Sequence, residues 1–167
     1  NTAVGYNALL SNTTGASNVA VGKDALKLNT TASNNTAVGE QCLEDNTTGG
    51  NNTAVGRIAL NANTTGADNV AVGINALAVN TTGSGSVAIG HYALQANTTA
   101  DYNVNIGHNG LFDNTTGASN VAIGRQCLYN NTIGDRNIAI GDRPMDANTT
   151  ASYNLAIGYA ALYKSNT

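Results

Sequence analysis

The two histidines of this chain, His91 and His108, stand 17 residues apart. If segments of that length stack on one another, the imidazoles lie in one file, and a metal site becomes conceivable because neutral imidazole is a good ligand. With three chains side by side, six imidazoles would meet at related heights. Neither histidine has a fixed carboxylate or cysteine nearby. The plain alternative is a pair of exposed polar side chains, so no metal is assigned and His91 and His108 stand as the candidates.

Cys42 and Cys127 are 85 residues apart, five times the same interval. In a stacked rod that separation is roughly 24 Å, and a disulfide needs Cα atoms within about 7 Å. An intrachain bridge is therefore excluded on this reading, and both cysteines act as small buried residues. Asn12, Asn29, Asn46, Asn63, Asn80, Asn97, Asn114 and Asn148 each open an Asn-Thr-Thr triplet, formally an N-glycosylation acceptor. The same triplet is also turn chemistry, with side chains bonding the local backbone. Glu40, Glu44, Asp45, Asp68 and Asp142 are scattered, and no pair of carboxylates or Ser-His-Asp grouping recurs. The residues that run catalysis are not arranged for it. The chain reads as a non-enzyme without a cofactor.

The interval that relates these residues runs through the whole sequence. From Asn1 the chain divides into nine units of 17 residues and a last of 14, without an insertion in any full unit. Position 5 of the unit is always glycine: Gly5, Gly22, Gly39, Gly56, Gly73, Gly90, Gly107, Gly124, Gly141 and Gly158. Position 4 is always Val or Ile, position 9 is Leu except for Met145, and position 1 is Asn except for Ser86. Positions 6, 7, 10, 11, 16 and 17 vary freely and hold nearly every charge. Fixed columns that touch their own copies and free columns that face water are the mark of a solenoid. Seventeen residues are too few for helical-pair repeats.

Positions 1 to 5 have the alternation of a short strand. A second short extended stretch is expected through Ala8 and Leu9 and their copies, and Asn-Thr-Thr-Gly closes each unit as a turn. Stacking in register gives parallel sheets with a spacing of ~4.8 Å, so ten rungs make a rod of roughly 48 Å. Asn at positions 1 and 12 would then form amide ladders. Residues 1–167 read as a single all-β domain, a parallel β-solenoid of ten rungs and a piece of a longer fibre.

Positions 2 and 4 point to one side of the strand and positions 3 and 5 to the other. The Ala and Gly side implies a narrow interior in which two sheets approach closely. The Val/Ile side needs its own cover, since two wet apolar columns along ten rungs exceed what single chains usually expose. A further copy of the chain is the expected source. The glycine column has two readings, a positive φ at a bend or a close approach of backbones. Position 15, where Ala32, Ala100 and Ala151 replace Gly, needs no left-handed residue. In the seventh unit Asn105 replaces Ala at position 3 and Gly110 replaces Ala at position 8. A larger residue with a smaller one is expected if those columns face each other. Pro144 removes a backbone donor, which predicts an unpaired or bulged rung. The last unit has one extra residue before Ser165-Asn166-Thr167.

Composition supports the same picture. Charged residues are 10% of the chain, the net charge is −3 and there is no tryptophan, which argues against a nucleic-acid footprint. No apolar run approaches the ~20 residues of a membrane span. The start of the chain does not have the pattern of a signal peptide. Tyr6, Tyr92, Tyr102, Tyr129, Tyr153, Tyr159 and Tyr163 lie mostly in free columns, where tyrosine is ordinary surface or a stacking platform for carbohydrate.

The unit NTAVGYNALLSNTTGAS (Asn1 to Ser17) resembles repeats of phage tail-fibre and tail-fibre-like surface proteins. Its NVAVG and SVAIG segments (Asn69–Gly73, Ser86–Gly90) look like the head repeats of YadA-like trimeric autotransporter adhesins. The resemblance covers the whole chain, although the 17-residue unit is a little longer than the usual adhesin head repeat. It implies a homotrimer of left-handed parallel β-rolls outside the cell, in a virion tail fibre or on a cell surface. The expected function is a fibre shaft or adhesive head segment, with itself and host-surface carbohydrate or protein as partners. Two rivals are a self-assembling extracellular filament and an ice-binding solenoid that uses the Thr files. Against the latter, Thr13 and Thr14 are adjacent and would point to opposite sides of a strand.

Overall fold

Each 17-residue unit forms one rung of a coil, and a computed structural model of the chain describes residues 1–164. The strands are β1 (Thr2–Val4), β2 (Val19–Val21), β3 (Thr36–Val38), β4 (Thr53–Val55), β5 (Val70–Val72), β6 (Val87–Ile89), β7 (Val104–Ile106), β8 (Val121–Ile123), β9 (Ile138–Ile140) and β10 (Leu155–Ile157). They form one ten-stranded parallel sheet in sequence order. Every pairing joins equivalent positions: Ala20 opposes Ala37, Val72 opposes Ile89, and Asn105 opposes Ala122. The chain is an all-β parallel β-solenoid, with no helix among the described residues.

Three residues per strand is short. The rest of each rung is held by backbone bonds to its neighbours instead. Around the coil, Asp24 N–H donates to Tyr6 O (2.8 Å), Leu26 N–H to Cys42 O (3.1 Å), Leu28 N–H to Glu44 O (2.9 Å) and Thr30 N–H to Thr47 O (3.2 Å). Positions 8 and 9 are turns and not the second extended stretch expected from sequence, so a single sheet faces a wall of bonded turns. The reason lies in the backbone. The position-9 residues, Leu9 to Leu162 with Met145, all have φ between +48° and +53°. A strand cannot pass through that region. It costs an ordinary residue about 1–2 kcal/mol, while burying a leucine returns about 1.5–3 kcal/mol. Burial wins, and Leu26, Leu43, Leu60, Leu77, Leu94, Leu111 and Leu128 are fully buried.

Both readings of the glycine column hold. Gly5 to Gly158 have φ between +119° and +148°. A Cβ on Gly39 would overlap the Gly56 carbonyl one rung away, and the same holds from Gly5 to Gly141. The position-15 glycines have no positive φ. Pro144 does not bulge its rung. Its carbonyl accepts Leu128 N–H at 3.1 Å, and β9 stays paired on both sides. No position-8 N–H bonds a neighbouring rung: the alanines there bond within their own rung, as Ala59 does to Gly56 at 3.3 Å, so proline removes no rung-to-rung bond. The departure at Ser165-Asn166-Thr167 lies outside the described residues.

The interior has two halves. One is apolar: Ala at position 3, Ala or Cys at position 8 and Leu at position 9. The other is polar and consists of the buried asparagines of positions 1 and 12.

Candidate functional site

The polar half of the core is a hydrogen-bonded ladder. At position 12, Asn46 Nδ2 donates to Asn29 Oδ1 (3.0 Å) and to Gly49 O (2.9 Å). Asn63 repeats this toward Asn46 Oδ1 (2.8 Å) and Gly66 O (2.9 Å). At position 1 the pattern differs from a pure amide ladder. Asn52 Nδ2 donates to Gly66 O (2.9 Å), while Asn52 Oδ1 accepts Asn69 N–H (3.0 Å). One carbonyl, Gly66 O, thus serves both columns. Buried amides satisfied in this way cost little, while one left unpaired costs about 1–3 kcal/mol.

This geometry bears directly on the Asn-Thr-Thr triplets. Asn29, Asn46, Asn63, Asn80, Asn97, Asn114 and Asn148 are 0–1% exposed. Both Nδ2 protons of each are engaged, to the preceding asparagine and to the position-15 carbonyl. Asn12, in the first rung, bonds Gly15 O and accepts from Asn29. A glycan on any ladder nitrogen would replace a ladder bond inside the core. Asn12 differs, being half-buried in the first rung with a single Nδ2 bond, to Gly15 O.

Thr hydroxyls divide by position. At position 13 they donate to the next rung, Thr47 Oγ1 to Thr64 O at 2.9 Å and Thr81 Oγ1 to Thr98 O at 3.0 Å. At position 14 they form a single exposed file from Thr14 to Thr150, interrupted by Ile133. Position 16 is not a free column. Ser33 Oγ, Ser84 Oγ and Asp135 carboxylate each accept the N–H of Ala16, Ala67 and Ala118 one rung earlier (3.0, 3.1 and 2.7 Å).

His91 and His108 are stacked as their spacing predicts, with ring centroids 5.5 Å apart and 25° between planes. Tyr92 lies 3.9 Å from the His91 ring. Beside them Phe112 and Tyr129 stack at 5.1 Å and 5°, and Tyr92 meets Phe112 edge-on at 6.0 Å. This aromatic file in rungs 6 to 8 was not legible as a group, because it mixes positions 6, 7 and 10. Among the described residues no group of three or more His, Cys, Asp or Glu is placed to hold a metal.

Charges at position 6 alternate in sign where they adjoin: Lys23 faces Glu40 (3.8 Å) and Arg125 faces Asp142 (3.0 Å). In-register stacking would otherwise set like charges against each other. Lys27 bonds Glu44 (3.1 Å) and lies 3.6 Å from Asp24. The Glu44 bond, then Asp24, holds the Lys27 ammonium above its ordinary range. Asp24 is buried, while the Lys23–Glu40 and Arg125–Asp142 pairs are exposed or half-exposed and of small individual worth. Cys42 and Cys127 are free and buried. Burial pushes the Cys42 thiol up to about 12 and the Cys127 thiol up to about 11.

The outer face of the sheet is the remaining surface. Position 3 is buried and positions 2 and 4 face outward, the twenty residues there being only Thr, Val, Ile or Leu. Position 4 is Val in the first five rungs and Ile in the last five. Val55, Ile89, Ile106 and Ile123 are 36–41% exposed even in the middle of the rod. It is an uncharged strip, apolar apart from Thr2, Thr36 and Thr53, that runs the length of the sheet. No protein-family model, no curated protein and no solved structure matches this chain.

Proposed function

We propose that this chain is a rigid structural segment of an extracellular fibre or surface adhesin, which associates with copies of itself through the outer face of its sheet. The observation that carries the reading is the strip at positions 2 and 4. Twenty outward residues without one charge resemble the fixed columns of an interior more than the variable columns of a surface. Their neighbours at position 6 carry Lys23, Glu40, Arg57, Arg125 and Asp142, so the chain places charge freely where water is intended. Soluble proteins seldom leave so long an apolar strip uncovered. Another copy offers a matching surface of the same length and composition.

The mechanical part follows from the bonding. Each rung is tied to the next by strand pairing, by turn-to-turn backbone bonds and by two asparagine columns. Load along the axis is shared among many short parallel links. Three chains with left-handed coils, outside the cell, is the arrangement that the resemblance to tail-fibre and YadA-like repeats implies, and we adopt it as part of the proposal. Electron microscopy of the purified chain tests it. Straight rods of uniform width containing more than one chain side by side support the reading. Single coils lying separately, or long filaments grown only by end-to-end stacking, would overturn it.

A further inference from the structure

Rung 7 departs from the repeat at neighbouring positions, and the departures are linked. Asn105 stands in the apolar half of the core, where its Nδ2 donates to Gly107 O (3.3 Å) and its Oδ1 is buried without a partner. Where position 8 is alanine the equivalent carbonyl accepts its N–H, as from Ala59 (3.3 Å), Ala76 (3.4 Å) and Ala93 (3.3 Å), whereas Cys42 and Cys127 N–H lack that bond. Gly110 N–H makes no such bond and has no other hydrogen-bond partner. The residue before it, Asn109, makes no side-chain hydrogen bond, and its Oδ1 is likewise unpartnered. Asn109-Gly110 is the one Asn-Gly pair in the chain.

We infer that Asn109 is a site of spontaneous deamidation, which makes rung 7 an ageing point built into the rod. Gly110 nitrogen, its proton lost to a solvent base, attacks Asn109 Cγ. The new N–Cγ bond closes a succinimide, the Cγ–Nδ2 bond breaks, and ammonia leaves with a proton taken from water. Water then opens the ring at either carbonyl and leaves Asp or isoAsp. The net exchange is amide plus water for acid plus ammonia, with nothing oxidised or reduced. Gly110 has no Cβ to crowd the attack, and its N–H is not held in a bond. Gly110 is buried but Asn109 only half so, and the ladder asparagines differ in their own bonding and in the residue that follows. Asn46 and Asn63 are buried, doubly bonded through Nδ2 and followed by a β-branched threonine.

The isoAsp product moves a carbon into the main chain between residues 109 and 110. Two rung-to-rung bonds then lose their register: Leu94 N–H to Gly110 O (3.1 Å) and Leu111 N–H to Cys127 O (2.9 Å). Rungs 6 to 8 loosen while the first five stay as they are.

The test is peptide mapping by mass spectrometry of the folded chain held at mildly alkaline pH. Acid and isoAsp forms at Asn109 should accumulate at least about tenfold faster than at Asn34, Asn51 or Asn75, a barrier difference of about 1.4 kcal/mol. Asn46 and Asn63 should stay intact, and aged rods should exchange the Leu94 and Leu111 amide protons faster. The double variant Asn105→Ala/Gly110→Ala rebuilds the ordinary rung and should abolish the modification. Asn109 converting no faster than Asn51, conversion only in denaturant, or equal conversion in the double variant would each overturn the inference.

Discussion

Asn105 and Gly110 face each other across the interior of rung 7, so closely that a Cβ placed on Gly110 would overlap the Asn105 carboxamide. Positions 3 and 8 are therefore opposed walls of the coil, and Cys42 Sγ lying 3.2 Å from Ala54 O shows the same opposition elsewhere. The two substitutions compensate in volume but leave Asn105 Oδ1 unpartnered. Gly110→Ala alone should destabilise the rod by about 1–3 kcal/mol through overpacking. Asn105→Ala/Gly110→Ala should be more stable than the natural chain by about 1 kcal/mol, because it removes an unsatisfied buried acceptor. Denaturant unfolding of the single and double variants gives the coupling.

The asparagine ladder makes a second expectation. Asn63→Ala removes donors to Asn46 Oδ1 and Gly66 O and leaves Asn80 Nδ2 with one partner fewer. A loss of about 3 kcal/mol follows from the groups stranded in the core. Asn51→Gly, in the exposed ladder from Asn34 to Asp68 and at a left-handed position (φ +60°) that glycine tolerates, should change stability by no more than about 0.5 kcal/mol. Equal effects at the two sites would show that the buried ladder has no special role.

Ile58 sits at position 7 with φ +61°, a region that a β-branched residue enters at a cost. Asn favours that region, so Ile58→Asn should raise stability by about 1 kcal/mol, and Ile58→Val should not. The shift in the denaturant midpoint reads this directly.

Burial holds the Cys42 thiol at about 12, against an ordinary value of 9.0. Between those values an unfolded chain gives up its proton while the folded chain keeps it. The stabilisation is therefore complete below pH 9 and is lost as pH rises toward 12. Unfolding of the natural chain and of Cys42→Ala, compared from pH 8 upward, should show a steeper alkaline fall for the natural chain. Alkylation of Cys42 at pH 8 should wait for unfolding.

Much of this rod could be read from spacing. The constant Gly5 column, a strand within positions 1 to 5 and the stacking of His91 on His108 all follow from in-register repetition, because a residue's phase sets its neighbours. What stayed hidden depends on backbone conformation that residue type does not announce. Leucine gives no sign that it will adopt a left-handed φ, so residue type alone points to an extended stretch at Leu9 and its copies where the chain turns. Position 16 mixes Ala, Ser, Gly and Asp and looked free, yet Ser33 and Asp135 cap backbone N–H groups there. Only some rungs use that bond, so recurrence alone did not mark it. Pro144 leaves the rung-to-rung bonds intact because position 8 contributes only its carbonyl to them.

Sedimentation equilibrium of the natural chain beside Val72→Glu and Ile106→Glu puts the role of the sheet face to its most direct trial. The natural chain should sediment at a multiple of its single-chain mass, and each charged variant should sediment as a folded single chain. A natural chain that stays single at high concentration, or variants that associate as well as it does, would contradict the account.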